Sequence, residues 1–425
     1  MLKLYRILTN IAAPLINLYL FKRKINGKED LVRFKERLGF AALPRPKGQL
    51  IWIHAASVGE AVSVLPLVEK LSATYQSVNF LITTGTVTSA ELVEKRLPAR
   101  TIHQFVPVDR LPYVRRFLKH WQPDLAIWVE SELWPNLIVE SASRCRLILL
   151  NGRMSEKSYR KWKKYSGFIK QLLEKFSLCL AQSEEDGKRL AALGASNVKC
   201  LGNIKYDSPP LPADATKINE MSAMIGSRPV WVAASTHKGE EAAIGWVHKQ
   251  LKATHSSLLT IIIPRHATRG DELVSELKAD GLEISQRSKD EKVFDETDIY
   301  LADTMGELGI FYRLTEIVFI GGSLVPHGGQ NPLEPARLEC AIITGLNTFN
   351  FIAIQREFEE KKSIITVSNQ EELAEKVATL LENKEQTQEL ITNALELVRE
   401  KSDILDKTIE DINPYIQQMN KRNAA

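Results

Sequence analysis

The sequence predicts an α/β protein built from two doubly wound domains that face each other across a cleft, with a membrane-associated segment at the N-terminus. Three observations lead there. Short apolar runs alternate with helical stretches along most of the chain, the rhythm of parallel sheets wrapped by helices. A proline-rich stretch, "YDSPPLPADATK" at 206–217, interrupts that rhythm near the middle. The length of 425 residues also exceeds what a single core usually serves, so two domains of roughly 200 residues each are expected.

The first element is the apolar stretch "ILTNIAAPLINLYLF" at 7–21, followed by "KRK" at 22–24. Residues 1–40 hold nine Lys/Arg against three Asp/Glu, more than enough to account for the net charge of +4, so the basicity is local. A spanning helix needs about 20 predominantly apolar residues, and Asn10, Pro14 and Asn17 interrupt this one. No small-residue cleavage site follows it, which argues against a removable signal. An amphipathic segment with flanking cations suits an anionic membrane surface with the cations on the cytoplasmic side. Residues 1–24 are therefore read as a membrane anchor, with a buried N-terminal helix as the alternative.

Residues 25–205 form the expected first domain, with strands at "LIWIHA", "VNFLITT", "TIHQFV", "DLAIWVE", "CRLILLN" and "LCLAQ". Many of these runs are apolar throughout, as in strands covered on both faces. Residues 206–228 are the expected linker. The second domain, 229–425, resumes with "PVWVAAS", "LLTIIIP", "DIYLAD", "IVFIGG" and "AIITG" and ends in a helical region from about Gln370. In open parallel sheets ligands bind beyond the carboxyl ends of the strands, where all the motifs below fall. The composition, 44% hydrophobic and 25% charged, excludes disordered and fibrous classes. Cys145, Cys179, Cys200 and Cys340 form no CxxC pair, which argues against a zinc site or a disulfide framework.

Ser57-Val58-Gly59-Glu60 has capping-box spacing, and the same spacing recurs in Thr304-Met305-Gly306-Glu307 and Asn331-Pro332-Leu333-Glu334. Capping alone needs neither Gly59 and Gly306 nor the pairs Gly321-Gly322 and Gly328-Gly329, which let a ligand or backbone approach closely. Helix N-termini at these turns would suit a phosphate-bearing molecule, with plain turn chemistry as the alternative. Pro264, Arg265 and His266 end another strand, and arginine with imidazole suits a phosphate leaving group; Arg269 fits a solvated loop better. Glu130 and Glu132 end the strand "DLAIWVE". No Asp-x-Asp pair is present, which weighs against a metal bridging a diphosphate. The stretch 151–170 mixes Arg153, Lys157, Arg160, Lys161, Lys163 and Lys164 with Tyr159, Trp162 and Tyr165. Nucleic acid, a phosphate-bearing lipid or an ordinary exposed helix all fit it, and the basic N-terminus favours the lipid.

Together these residues resemble the 3-deoxy-D-manno-octulosonic acid (Kdo) transferases of lipopolysaccharide synthesis. The motifs that carry the resemblance are "RFKERLGF", "WIHAASVGE", "VESELWPN", "GNIKYD", "PRH", "MGEL", "GGS" and "HGGQNPLEPA", in order along essentially the whole chain. The resemblance implies a GT-B type fold of two doubly wound Rossmann-like domains around a central cleft, the first taking the acceptor and the second the nucleotide. It implies CMP-Kdo as donor, the lipid A precursor (lipid IVA) as acceptor, inversion, no metal and no cofactor. Glu60 matches the family's general base, and Glu130 and Lys205 match positions that stabilise the transition state. Pro264 and Arg265, Met305, Gly306 and Glu307, and Asn331, Pro332, Leu333 and Glu334 match CMP contacts. A bacterial inner membrane location on the cytoplasmic face follows, with no nucleic acid partner. The alternatives are another glycosyltransferase of the same architecture and a non-enzymatic membrane lipid-binding protein.

Overall fold

The computed structural model describes residues 1–422, so the last three residues of the expected 229–425 domain lie outside the described residues. The chain divides into two compact units, one formed by Met1–Ser208 with the segment from Ser402 onward, the other by Pro209–Lys401. Each holds a seven-stranded parallel sheet, the doubly wound architecture that the sequence predicts.

In the first unit the strands are β1 (Gln49–His54), β2 (Val78–Thr84), β3 (Thr101–Phe105), β4 (Leu125–Val129), β5 (Arg146–Gly152), β6 (Phe176–Ala181) and β7 (Val198–Cys200). Their order is β3-β2-β1-β4-β5-β6-β7, so the winding reverses between β1 and β4, where Ile53 pairs with Ile127. Strands β1 and β4 are buried at every position, because helices cover both faces. Trp52, Trp128, Phe117 and Phe176 fill one side of this sheet, with Trp52 and Trp128 packed edge to face at 4.7 Å.

The second unit holds β8 (Val230–Thr236), β9 (Leu259–Pro264), β10 (Ile284–Gln286), β11 (Ile299–Leu301), β12 (Ile317–Ile320), β13 (Ala341–Gly345) and β14 (Ile364–Val367). Their order is β10-β11-β9-β8-β12-β13-β14, with the reversal between β8 and β12. Trp231, Phe319 and Ile262 anchor its core.

Two features differ from the sequence expectation. The expected linker 206–228 contains a helix, Ala215–Ile225, capped by the Asp214 carboxylate, which accepts from the Thr216 N–H at 2.9 Å. The final helix, Ile404–Arg422, belongs to the first unit rather than to the second. Its polar side chains reach first-unit partners, including Tyr75, which donates to Asn413 at 2.6 Å. The N-terminal segment is two helices, Leu2–Ile11 and Ala13–Ile25, bent by 63°, and among the described residues no single helix is long and apolar enough to cross a membrane. Pro14 explains the break, since it lacks an N–H and its ring clashes with the carbonyl four residues back, at Asn10.

Candidate active site

In the first unit the candidate residues gather where the winding reverses. Glu60 follows β1 on the first turn of the helix Val58–Thr74, and Glu130 follows β4 directly. Ser57 caps that helix, its Oγ accepting from the Glu60 N–H at 3.3 Å. The Glu60 side chain completes the turn by a route the capping-box pattern does not specify. Its Oε2 accepts from the Ala56 N–H and its Oε1 from the Ser57 hydroxyl, each at 2.8 Å. Glu60 is 7% exposed, and burial, followed by the Glu130 charge, pushes its pKa up to about 7 despite these two donors. Glu132 adds to the lift, while its own carboxylate accepts from the Trp134 indole N–H at 2.6 Å.

Glu130 has φ of +58°, a left-handed conformation that costs an L-residue about 1–2 kcal/mol. Its N–H still continues the ladder to the Leu150 carbonyl at 2.9 Å. That conformation turns the side chain toward Lys205, whose Nζ donates to Glu130 Oε1 at 2.8 Å. Lys205 rides on a 3-10 turn, Ile204–Asp207, which is pinned from three sides. The Asn203 side chain accepts from the Lys205 N–H and Asn151 from the Ile204 N–H, both at 3.1 Å. Asp207 accepts from the Asp403 and Leu405 amides at the start of the last helix. Glu60, Glu130 and Lys205 thus form one charged cluster.

The sequence missed Asn151 and Asp207. Asn151 is the penultimate residue of β5, with φ of +53°, so its place near the strand end alone pointed to it. Asp207 lay inside the quoted "GNIKYD", but its partners are almost two hundred residues away along the chain. The basic stretch 151–170 contains the helix Glu156–Lys163, yet Tyr159 and Trp162 pack against the core. The cations Lys157, Lys161, Lys163 and Lys164 remain exposed.

In the second unit, Pro264 closes β9 and Arg265 follows it, its N–H bonded to the Thr236 carbonyl at 2.9 Å. Arg265 has no side-chain partner among the described residues. Arg269 does, donating to Glu241 at 2.7 Å. The Thr304–Glu307 turn does not cap a helix as the spacing suggests. The helix there, Leu308–Tyr312, starts one residue later and is five residues long. Glu307 instead accepts a forked ion pair from Arg287, at 2.5 and 3.0 Å, and a further bond from Lys217 at 2.7 Å. Those cations hold its pKa down to about 2. Met305 is exposed, and a Cβ at Gly306 or Gly59 would meet nothing within 4 Å, so packing does not demand glycine there.

Asn331 does cap, accepting from the Leu333 N–H at 3.2 Å, but Pro332 is the cap position rather than the first helical residue. The helix Leu333–Ala336 is a single turn, and Glu334 sits in it 3.4 Å from the Asn331 amide nitrogen. Helices this short carry little dipole, so the helix-start reading of a phosphate site gives way to side-chain cations. The His266 ring stands 6.0 Å from that of His237, which in turn stacks on His327 at 4.2 Å. His237 stands one residue past β8 and was missed, although the strand-end rule covers it. Arg287 follows β10, an edge strand the sequence reading did not recognise.

The family model described as 3-deoxy-D-manno-octulosonic-acid transferase (kdotransferase) matches residues 32–208. The chain is 36% identical to a 3-deoxy-D-manno-octulosonic acid transferase of Rickettsia bellii over 98% of this chain and 100% of that one. It is 35% identical to the transferase of that name from Haemophilus influenzae, over 97% and 98% of the two chains. A glycosyltransferase structure from Rickettsia africae superposes with a TM-score of 0.57 over 87% of this chain and 99% of that one. At 12% identity, that likeness speaks for the shared GT-B fold alone.

Proposed function

The chain belongs to the 3-deoxy-D-manno-octulosonic acid transferase family, and from that premise we propose that it moves Kdo from CMP-Kdo to a hydroxyl of the lipid A precursor, with inversion, using Glu60 as general base. The observation that carries the reading is the state of Glu60, a buried carboxyl whose pKa is lifted to about 7 beside the Glu130–Lys205 pair. A sugar hydroxyl is far too weak an acid to ionise near neutrality, so its proton has to leave as the new bond forms. A base with a pKa near the working pH takes it most effectively.

In the proposed step the acceptor oxygen bonds to the anomeric carbon of Kdo, its proton passes to Glu60, and the bond from that carbon to the phosphate oxygen breaks to release CMP. Glu130 offsets positive charge developing on the sugar and orients the Lys205 ammonium, which stabilises negative charge. The first unit takes the acceptor and the second unit takes the nucleotide, through Arg265 and the 305–307 and 331–334 turns. No metal or cofactor takes part in this scheme, because the single phosphate is met by cationic side chains. The protein works at the cytoplasmic face of the bacterial inner membrane, a reading supported by the exposed apolar residues of its N-terminal helices.

The test is incubation of the purified protein with CMP-Kdo and the lipid A precursor, followed by mass spectrometry of the lipid, for the wild type and Glu60→Gln. The wild type is expected to add Kdo. The variant should bind CMP normally but lose about 10²–10⁴-fold in turnover, the usual contribution of a positioned base. Its amide keeps an oxygen for the Ala56 N–H and an NH₂ for Ser57, so the turn survives. Near-normal turnover by Glu60→Gln would return the residue to a purely capping role.

A further inference from the structure

Resting on the donor assignment above, we infer that His237, His266 and His327 form an anion site in which His237 takes up a proton when the donor phosphate binds and then holds that phosphate as CMP departs. The geometry comes from the reversal point of the second sheet. His237 leaves β8, His266 follows β9 on one side, and His327 lies in the loop after β12 on the other. The His237 and His327 rings are stacked at 4.2 Å with 16° between planes, and His266 stands edge-on to His237 at 6.0 Å.

Two glycines make this convergence possible. A Cβ at Gly321 would lie 2.6 Å from Thr236 Cα, and one at Gly322, where φ is +70°, would come within 3.0 Å of the His237 ring. Only glycine lets the exit of β12 lie against the exit of β8.

The charged groups that act on the His237 ring all oppose its protonation. From the β9 side it faces Arg265, His266 and Arg269, and from the β12 loop it faces His327. Two carboxylates stand nearby on the helix Glu240–Lys252, and both are engaged by other groups. Glu240 accepts from four main-chain amides, those of His237, Gly322, Ser323 and Leu324. Glu241 is held by Arg269 and by the Thr236 hydroxyl. The only polar partner of the His237 ring among the described residues is Gln330, at 3.5 Å. Burial first, then the neighbouring cationic groups, hold the His237 pKa down to about 4, so the ring is neutral at pH 7 while the site is empty of anion. An anion entering among these groups offsets that repulsion, and an opposite charge at 4–6 Å raises such a pKa by roughly 1–3. The imidazolium so formed faces the phosphate, whose negative charge grows as the sugar leaves.

The experiment is calorimetry of the whole protein at pH 6 and pH 8 in buffers of differing ionisation enthalpy. The probe is the methyl ester of cytidine 5′-monophosphate, a phosphodiester that does not itself titrate in this range. The wild type is expected to take up about half a proton per ligand at pH 6 and much less at pH 8. His237→Gln should lose that uptake and bind several-fold more weakly at pH 6, with affinities converging at pH 8. Tight binding by the wild type without proton uptake overturns the inference and leaves the donor assignment standing. Uptake that persists in His237→Gln overturns the assignment to this ring. Failure of the wild type to bind either the ester or CMP overturns the donor assignment and this inference with it.

Discussion

The Glu60 carboxylate receives the Ala56 N–H and the Ser57 hydroxyl, and a carboxylate offers about four lone-pair directions. Capping therefore leaves acceptor capacity for a substrate proton, and the turn fixes where that capacity points. The two donors pull the pKa down while burial and Glu130 pull it up, and the second pair wins, giving about 7. With Glu60 as the proposed base, which must be ionised to act, kcat/KM is expected to rise as pH climbs through about 7 and then level off, since that profile reports groups of the free enzyme. Glu130→Gln removes a like charge and frees the Lys205 cation, and both changes favour ionised Glu60. Its acid limb should move down by about one unit even as the plateau drops. An unmoved limb in a pH series of that variant would mean that another group titrates.

At the level of elements, the turn Ile204–Asp207 ties Lys205, a proposed catalytic side chain, to a remote segment. Asp207 accepts the Asp403 and Leu405 amides and so caps the helix Ile404–Arg422 from a distant part of the chain, two residues from Lys205. Asp207→Ala is expected to cost about 1–2 kcal/mol of stability, the usual value of a lost cap, read by denaturant unfolding. It should also lower kcat with little change in CMP affinity, a split that general loss of folded protein would not produce. The sequence showed the strand-to-helix turns because each follows a run that is apolar throughout, and so it showed Glu60, Glu130 and Arg265. It did not show β7, β10 and β14, which lie on or near sheet edges, span three or four residues and mix polar with apolar side chains. Arg287 was hidden with β10. Nor did local spacing reveal that Glu307 is an ion-pair acceptor rather than a cap, because its partners Arg287 and Lys217 lie 20 and 90 residues away.

For the whole molecule, surface chemistry concentrates at the N-terminus. The helices Leu2–Ile11 and Ala13–Ile25 turn polar side chains inward: the Tyr5 hydroxyl donates to Asp109 at 2.9 Å, Arg6 pairs with Glu140 at 2.8 Å, and Tyr113 donates to Asn17 at 3.0 Å. Ile11, Leu15 and Leu18 are left 73%, 70% and 64% exposed, the reverse of a helix docked by its apolar face. Lys22, Arg23 and Lys24 follow in the last turn. Such an arrangement suits insertion to headgroup depth, with cations against anionic lipid. Replacing Leu8, Ile11, Leu15 and Leu18 together by Asn touches none of the inward bonds, so the fold and CMP binding should persist. Full burial of such a side chain is worth about 1.5–3 kcal/mol. If half of that is realised at each of four positions, about 4 kcal/mol is lost, which is nearly a thousand-fold in partitioning. Co-sedimentation with vesicles containing anionic lipid should show that loss, and raised salt should weaken wild-type binding by a smaller factor through screening. The same variant should keep activity on detergent-dispersed acceptor and lose it on acceptor embedded in vesicles, whereas unchanged sedimentation would show that another surface meets the membrane.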